Sequence, residues 1–171
     1  MEASRADGGG AYLDLSRLTP AEYAGWAASA VLVGSLFLPW FGTSATNDNS
    51  RLAGVSGGDS VNAWQTFALL GIILVLAASA PFILSWIIAR GHKLTWKPGE
   101  VTMVAGITAF VLVLCNGIIL GRPKDEATDT AIEISLQIGY FVALLGCIGL
   151  AVAGYLRQSR YKEGRKPPGV I

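Results

Sequence analysis

The sequence is poor in the residues that carry most catalytic and ligand chemistry. Its 171 residues include one histidine and two cysteines, and only 15% of them are charged. Average soluble chains carry about 25% charge. The single histidine, His92, falls in a short basic turn, so the chain lacks the intramembrane histidine that a haem or chlorophyll protein would use. Cys115 and Cys147 form no C-x-x-C pair, which removes the motif of a thiol oxidoreductase. Helical rise places Cys115 roughly 8 Å and Cys147 roughly 25 Å below the outer ends of their segments, too far apart in depth for a disulfide. No H-E-x-x-H, G-x-S-x-G, Walker or G-x-G-x-x-G pattern occurs, and the glycines Gly8-Gly9-Gly10, Gly54 and Gly57-Gly58 have no strand-to-helix context for holding phosphate. A net charge of +1 excludes a dedicated nucleic-acid binder. High hydrophobicity excludes disorder.

What the chain does have is apolar length. Hydrophobic residues make up 52% of it, mean hydropathy is +0.49, and these residues fall into four runs. Runs of 18 or more read as membrane spans. The expected fold is therefore an all-α integral membrane protein, a four-transmembrane-helix bundle running up-down-up-down with short loops. The spans are 20–41, 62–89, 98–120 and 130–156. A flexible segment 1–19 precedes them and a basic tail 157–171 follows. Thr19-Pro20-Ala21-Glu22 reads as a capping box with proline at the first helical position, and Asn62 as the cap of the second span. Pro81 lies inside the second span and removes one backbone bond, which predicts a kink.

Charge sets the orientation. Ten of the thirteen basic residues fall on the side of the termini: Arg5, Arg17, Arg90, Lys93, Lys97, Arg157, Arg160, Lys162, Arg165 and Lys166. The positive-inside rule places both termini in the cytoplasm of a multi-pass cell-membrane protein, with 42–61 and 121–129 outside. Acidic Glu2, Asp7 and Asp14, together with a long apolar run, argue against reading the first span as a cleaved signal peptide. Five tryptophans fit this layout as membrane-interface anchors: Trp40 and Trp64 at the outer level, Trp26, Trp86 and Trp96 at the inner one.

Polar and small residues inside the spans are the functional candidates. Asn116 and Gln137 fall at one depth and could share an amide hydrogen bond. Gln65 and Glu133 lie near the outer interface. On the fourth span Gly139, Ala143, Gly146, Gly149 and Ala153 form a small-residue stripe, and Glu133, Gln137, Tyr140, Leu144 and Cys147 a second stripe nearly opposite. Two interaction-capable sides on one helix predict a protein partner or self-association through this span. Arg157, Arg160, Lys162, Arg165 and Lys166 form a basic cluster suited to an anionic leaflet, although positive-inside topology alone explains it and is the preferred account. Asp125, Glu126, Asp129 and Glu133 are the one acidic concentration, without spacing that defines a cation site.

Ser35-Leu36-Phe37-Leu38-Pro39-Trp40-Phe41, a polar loop, and Asn62-Ala63-Trp64-Gln65-Thr66-Phe67 together resemble a pattern in small actinobacterial four-span membrane proteins. That resemblance implies the span count and carries no activity. The layout is similar to claudin-like tetraspans in span number and first outer loop only; the paired loop cysteines of that group are missing. The expected function is that of a non-enzymatic accessory, assembly or scaffold subunit of a membrane complex or homo-oligomer, with no cofactor and no metal. A small transporter or channel lined by Asn116 and Gln65 is the alternative, and a membrane enzyme or outer-face cation binder is the third reading.

Overall fold

The computed structural model describes residues 15, 18–43, 60–90, 99–120 and 134–160. In chain order it contains α1 (Pro20–Ser35), β1 (Pro39–Thr43), β2 (Ser60–Asn62), α2 (Ala63–Thr66), α3 (Ala68–Ala89), α4 (Glu100–Leu114) continued by a π-helical turn (Cys115–Ile119), β3 (Ile134–Leu136) and α5 (Ile138–Arg160). Three helices are long and apolar enough to cross a membrane: Ala68–Ala89, Glu100–Ile119 and Ile138–Arg160. The molecule is mostly helical and has the length and composition of a membrane protein.

Two expectations need correction. The chain is not all-α, because a three-stranded antiparallel sheet of order β2-β1-β3 closes one end of the helices. Nor does the first apolar run form one helix to residue 41. Proline has no amide to donate, and its ring opposes the carbonyl four residues earlier. Pro39 therefore stops α1, and the Ser35 carbonyl that a helical residue 39 would have used accepts the Trp40 indole N–H instead, at 2.8 Å. Pro39 then starts β1 beside a register shift, the position where a central strand tolerates a missing donor. The fourth run differs likewise: 134–136 is strand, and the helix continues beyond 156 to Arg160.

The second run opens with a reciprocal cap. Asn62 Oδ1 accepts the Gln65 amide at 3.0 Å and Gln65 Oε1 accepts the Asn62 amide at 2.9 Å. One turn later Phe67 leaves helical geometry, and its ring sits 6.0 Å edge-on from Phe41. α3 then runs unbroken through Pro81.

Helix α5 is the central rod. It packs on α1 and α4, while α3 packs on both α1 and α4, so the four long helices close into a ring. The fit depends on small residues. A Cβ on Gly146 would meet Leu32 at 2.9 Å and one on Gly149 would meet Ala28 at 2.9 Å. On the other side, a Cβ on Gly106 or Gly154 would run into the backbone of the facing helix, at Ala151 and Met103. Outward positions are bulky and apolar, as at Leu69, Leu76, Ile83, Leu145 and Val152.

Gly146→Leu should lower stability by about 1–3 kcal/mol through overpacking, whereas Ile148→Leu on the exposed face should stay within about 0.5 kcal/mol. Thermal unfolding in mild detergent measures both.

Candidate functional site

Near the sheet the core is aromatic. Trp40, Phe41 and Tyr140 are fully buried. Trp40 and Tyr140 meet edge to face at 5.7 Å, and Phe41 lies 6.1 Å from Tyr140. A π turn spaces its hydrogen bonds one residue wider than an α-helix, so carbonyls just before it need other donors. Tyr140 Oη donates to Val113 O at 3.0 Å, and Asn116 Nδ2 donates to Leu112 O at 2.8 Å. Gly117 leaves the space that the Tyr140 ring fills. Sequence reading missed this π turn, since its residues, Cys115-Asn116-Gly117-Ile118-Ile119, fit a continuing span equally well.

The polar candidates thus find local partners. Asn116 and Gln137 do not bond to one another: Gln137 Nε2 donates to Ser135 Oγ at 3.0 Å, and the Gln137 amide donates to Trp40 O at 2.8 Å. Gln65 is exposed and belongs to the Asn62 cap. On α5 the small-residue stripe and Tyr140 of the second stripe pack within the chain. Gly139, Ala143 and Gly146 are buried and Gly149 is half-buried, with Gly139, Gly146 and Gly149 against α1 and the segment that follows it. Tyr140 reaches the end of α4. Cys147 is buried beside it on α5, and both cysteines are free. Within the chain this helix packs on α1 and α4.

The tryptophans divide. Trp40 is not an interface anchor, because it is wholly buried with its indole N–H satisfied inside the chain. Trp64 is half-buried over Gly71, 6.1 Å from Phe37. Trp26 is half-buried, donates to Ser85 Oγ at 3.0 Å and stacks on Phe82 at 5.7 Å. Trp86 is exposed, with the Arg90 guanidinium 4.9 Å above its ring.

At the opposite end from the sheet lies a charged cluster that sequence reading missed. Glu22, expected only as a capping residue, is 7% exposed and forms an ion pair with Arg157 Nη1. The Thr19 amide donates to Glu22 Oε2 at 2.7 Å, its hydroxyl bonds the same oxygen, and Arg157 Nη1 also donates to Thr19 Oγ1 at 2.9 Å. Arg157, expected among the lipid-contacting cations, instead turns inward and ties α5 to the first turn of α1. Arg160 is exposed. Trp96, Lys162, Arg165, Lys166, His92 and the acidic group Asp125, Glu126, Asp129 and Glu133 lie outside the described residues. Among the described residues no group of three His, Cys, Asp or Glu gathers as a metal site. Compared with protein-family models, curated proteins and solved structures, the chain matches none of them.

Removing one partner of a buried pair leaves the other charge unmatched and costs about 3–5 kcal/mol. Glu22→Gln or Arg157→Gln alone should therefore destabilise far more than the double replacement, as measured by unfolding of all three variants in detergent.

Proposed function

We propose that the protein is a four-span integral membrane protein that works by association, as an accessory, assembly or scaffold subunit or as a homo-oligomer, and not by catalysis. The fourth crossing is α1. Its 16 residues rise about 24 Å, and three further turn hydrogen bonds carry the rod to Leu38: Leu36 N to Val33 O, Phe37 N to Gly34 O and Leu38 N to Ser35 O. At ~2 Å per residue this tightened turn adds about 6 Å, reaching the ~30 Å of a hydrocarbon core. Basic residues then favour cytoplasmic termini and an outer sheet. The outer motifs' resemblance to small four-span proteins supports the same count.

The observation that carries the association reading is the outward face of α1. The exposed positions of α3, α4 and α5 are mainly large aliphatic or aromatic residues, whereas α1, beside Tyr23 and Val31, exposes the small residues Ala24, Ala27, Ala30 and Gly34. A Cβ on Gly34 would meet nothing within 4 Å. Lipid chains gain little by coating so shallow a surface, and a helix of another subunit can approach it closely. The small face of the first span is the surface this reading assigns to contact, since the small-residue stripe of the fourth packs on the chain's own helices. Gln65 and Asn116, which a channel would use as lining, are each bonded within their own segments, which favours the association reading. Exposed Arg160, with Lys162, Arg165 and Lys166 following in sequence, remains suited to an anionic leaflet.

In a variant whose two native cysteines are replaced by alanine, Ala27→Cys should cross-link copies of the chain or a co-purifying subunit in native membranes, and Ala27→Leu with Ala30→Leu should abolish association in mild detergent while Ile148→Leu leaves it unchanged. A monomer throughout, with nothing cross-linked, would refute the reading. Cysteine labels at Ser4 and Val170 should react from one side of sealed vesicles and a label at Ser50 from the other.

A further inference from the structure

Beside the ion pair is a small, partly open pocket of about 20 Å³ walled by all four long helices and the residue that caps α4. Its apolar wall includes Gly25, Pro81, Leu84 and Ala153, and its polar wall is Glu22, Thr102 and Arg157. Thr102 is 6% exposed and Glu22 7%. Arg157 spends Nη1 on Glu22 and Thr19. Its Nε is also buried and donates to no acceptor among the described residues. A buried donor without an acceptor costs about 1–3 kcal/mol, and protein interiors meet such groups with ordered water. A water needs roughly 10–15 Å³ and two to four polar partners; the cavity satisfies the first condition with room for one molecule, and its polar wall supplies the second.

We infer that this cavity is a structural water site, in which one water accepts the Arg157 Nε–H and donates toward Glu22 and Thr102. The ligand is a neutral acceptor and not an anion. A halide would also accept from Nε, but it would share a water-sized space with the Glu22 carboxylate, whose charge repels it. A cation is repelled by the guanidinium and would leave the Nε donor unmet. The water completes the solvation of a charge pair that otherwise sits among apolar helices. It joins α1, α4 and α5 at the point where Gly99 turns the chain into α4 in a left-handed conformation, φ 95°, over the Gly154 carbonyl.

The test uses the full chain in mild detergent, labelled with 15N-arginine and assigned through Arg157→Lys. The Arg157 Nε–H should show a cross-relaxation peak to water of the sign given by a long-lived bound molecule, unchanged when chloride is replaced by bromide or sulfate at constant ionic strength. Gly25→Ala adds a methyl group to the cavity wall and should abolish that peak. Gly34→Ala, which adds a methyl group to the same helix against open space, should leave the peak in place. A visible Nε–H without a water peak, an Nε–H that shifts with halide identity, or a water peak that persists in Gly25→Ala would each overturn the inference.

Discussion

Everything in this molecule depends on how closely α5 approaches its two neighbours. In lipid there is no hydrophobic force between helices, since acyl chains are as apolar as leucine, so association rests on contact area and on the few polar bonds that form. Glycine and alanine let the α5 backbone come down onto Leu32 and Ala28 on one side and onto Ala151's facing partner Gly106 on the other. The inverted distribution, small inside and bulky outside, follows from that requirement. It also explains why α5 is the most internally buried of the three long apolar helices.

The two ends of the helices solve a different problem. Backbone groups freed where helices begin, end or widen must still be bonded. At the sheet end Trp40, Tyr140 and Asn116 supply donors to the carbonyls of Ser35, Val113 and Leu112. At the other end Thr19 and Glu22 close the first turn of α1, and Arg157 neutralises the carboxylate. Side chains that look like functional polar groups in a hydrophobic sequence are here largely employed in finishing helices.

Much of this was legible in the residues, and what was not has identifiable causes. Hydrophobic length located the helices, and the Thr19–Glu22 capping box and the Asn62 cap were visible as residue spacing, whereas the return bond from Gln65 was not read. The strands were not, because Pro39–Thr43 and Ile134–Leu136 are apolar enough to pass as span ends and periodicity over three to five residues decides nothing. Depth counting placed Asn116 and Gln137 at one level, but depth says nothing about azimuth, and each amide found a nearer acceptor. The small residues of α5 were visible as a stripe in the sequence. Which helices would fill it is a tertiary fact that one helix cannot reveal. The Glu22–Arg157 pair joins residues 135 positions apart, and no local pattern announces it.

The sheet and the helices also share one register. β1 follows α1 after three residues, and β3 precedes α5 by one; β1 and β3 are hydrogen-bonded, with Phe41 opposite Leu136 and Thr43 opposite Ile134. The sheet is therefore a gauge that sets how far α1 and α5 can slide along each other. A load applied to the strands cannot be absorbed locally. It must shear the glycine contacts down the whole length of the rods, and it is delivered to the charged clasp at the far end, so the two faces of the molecule are mechanically coupled through a rigid seam.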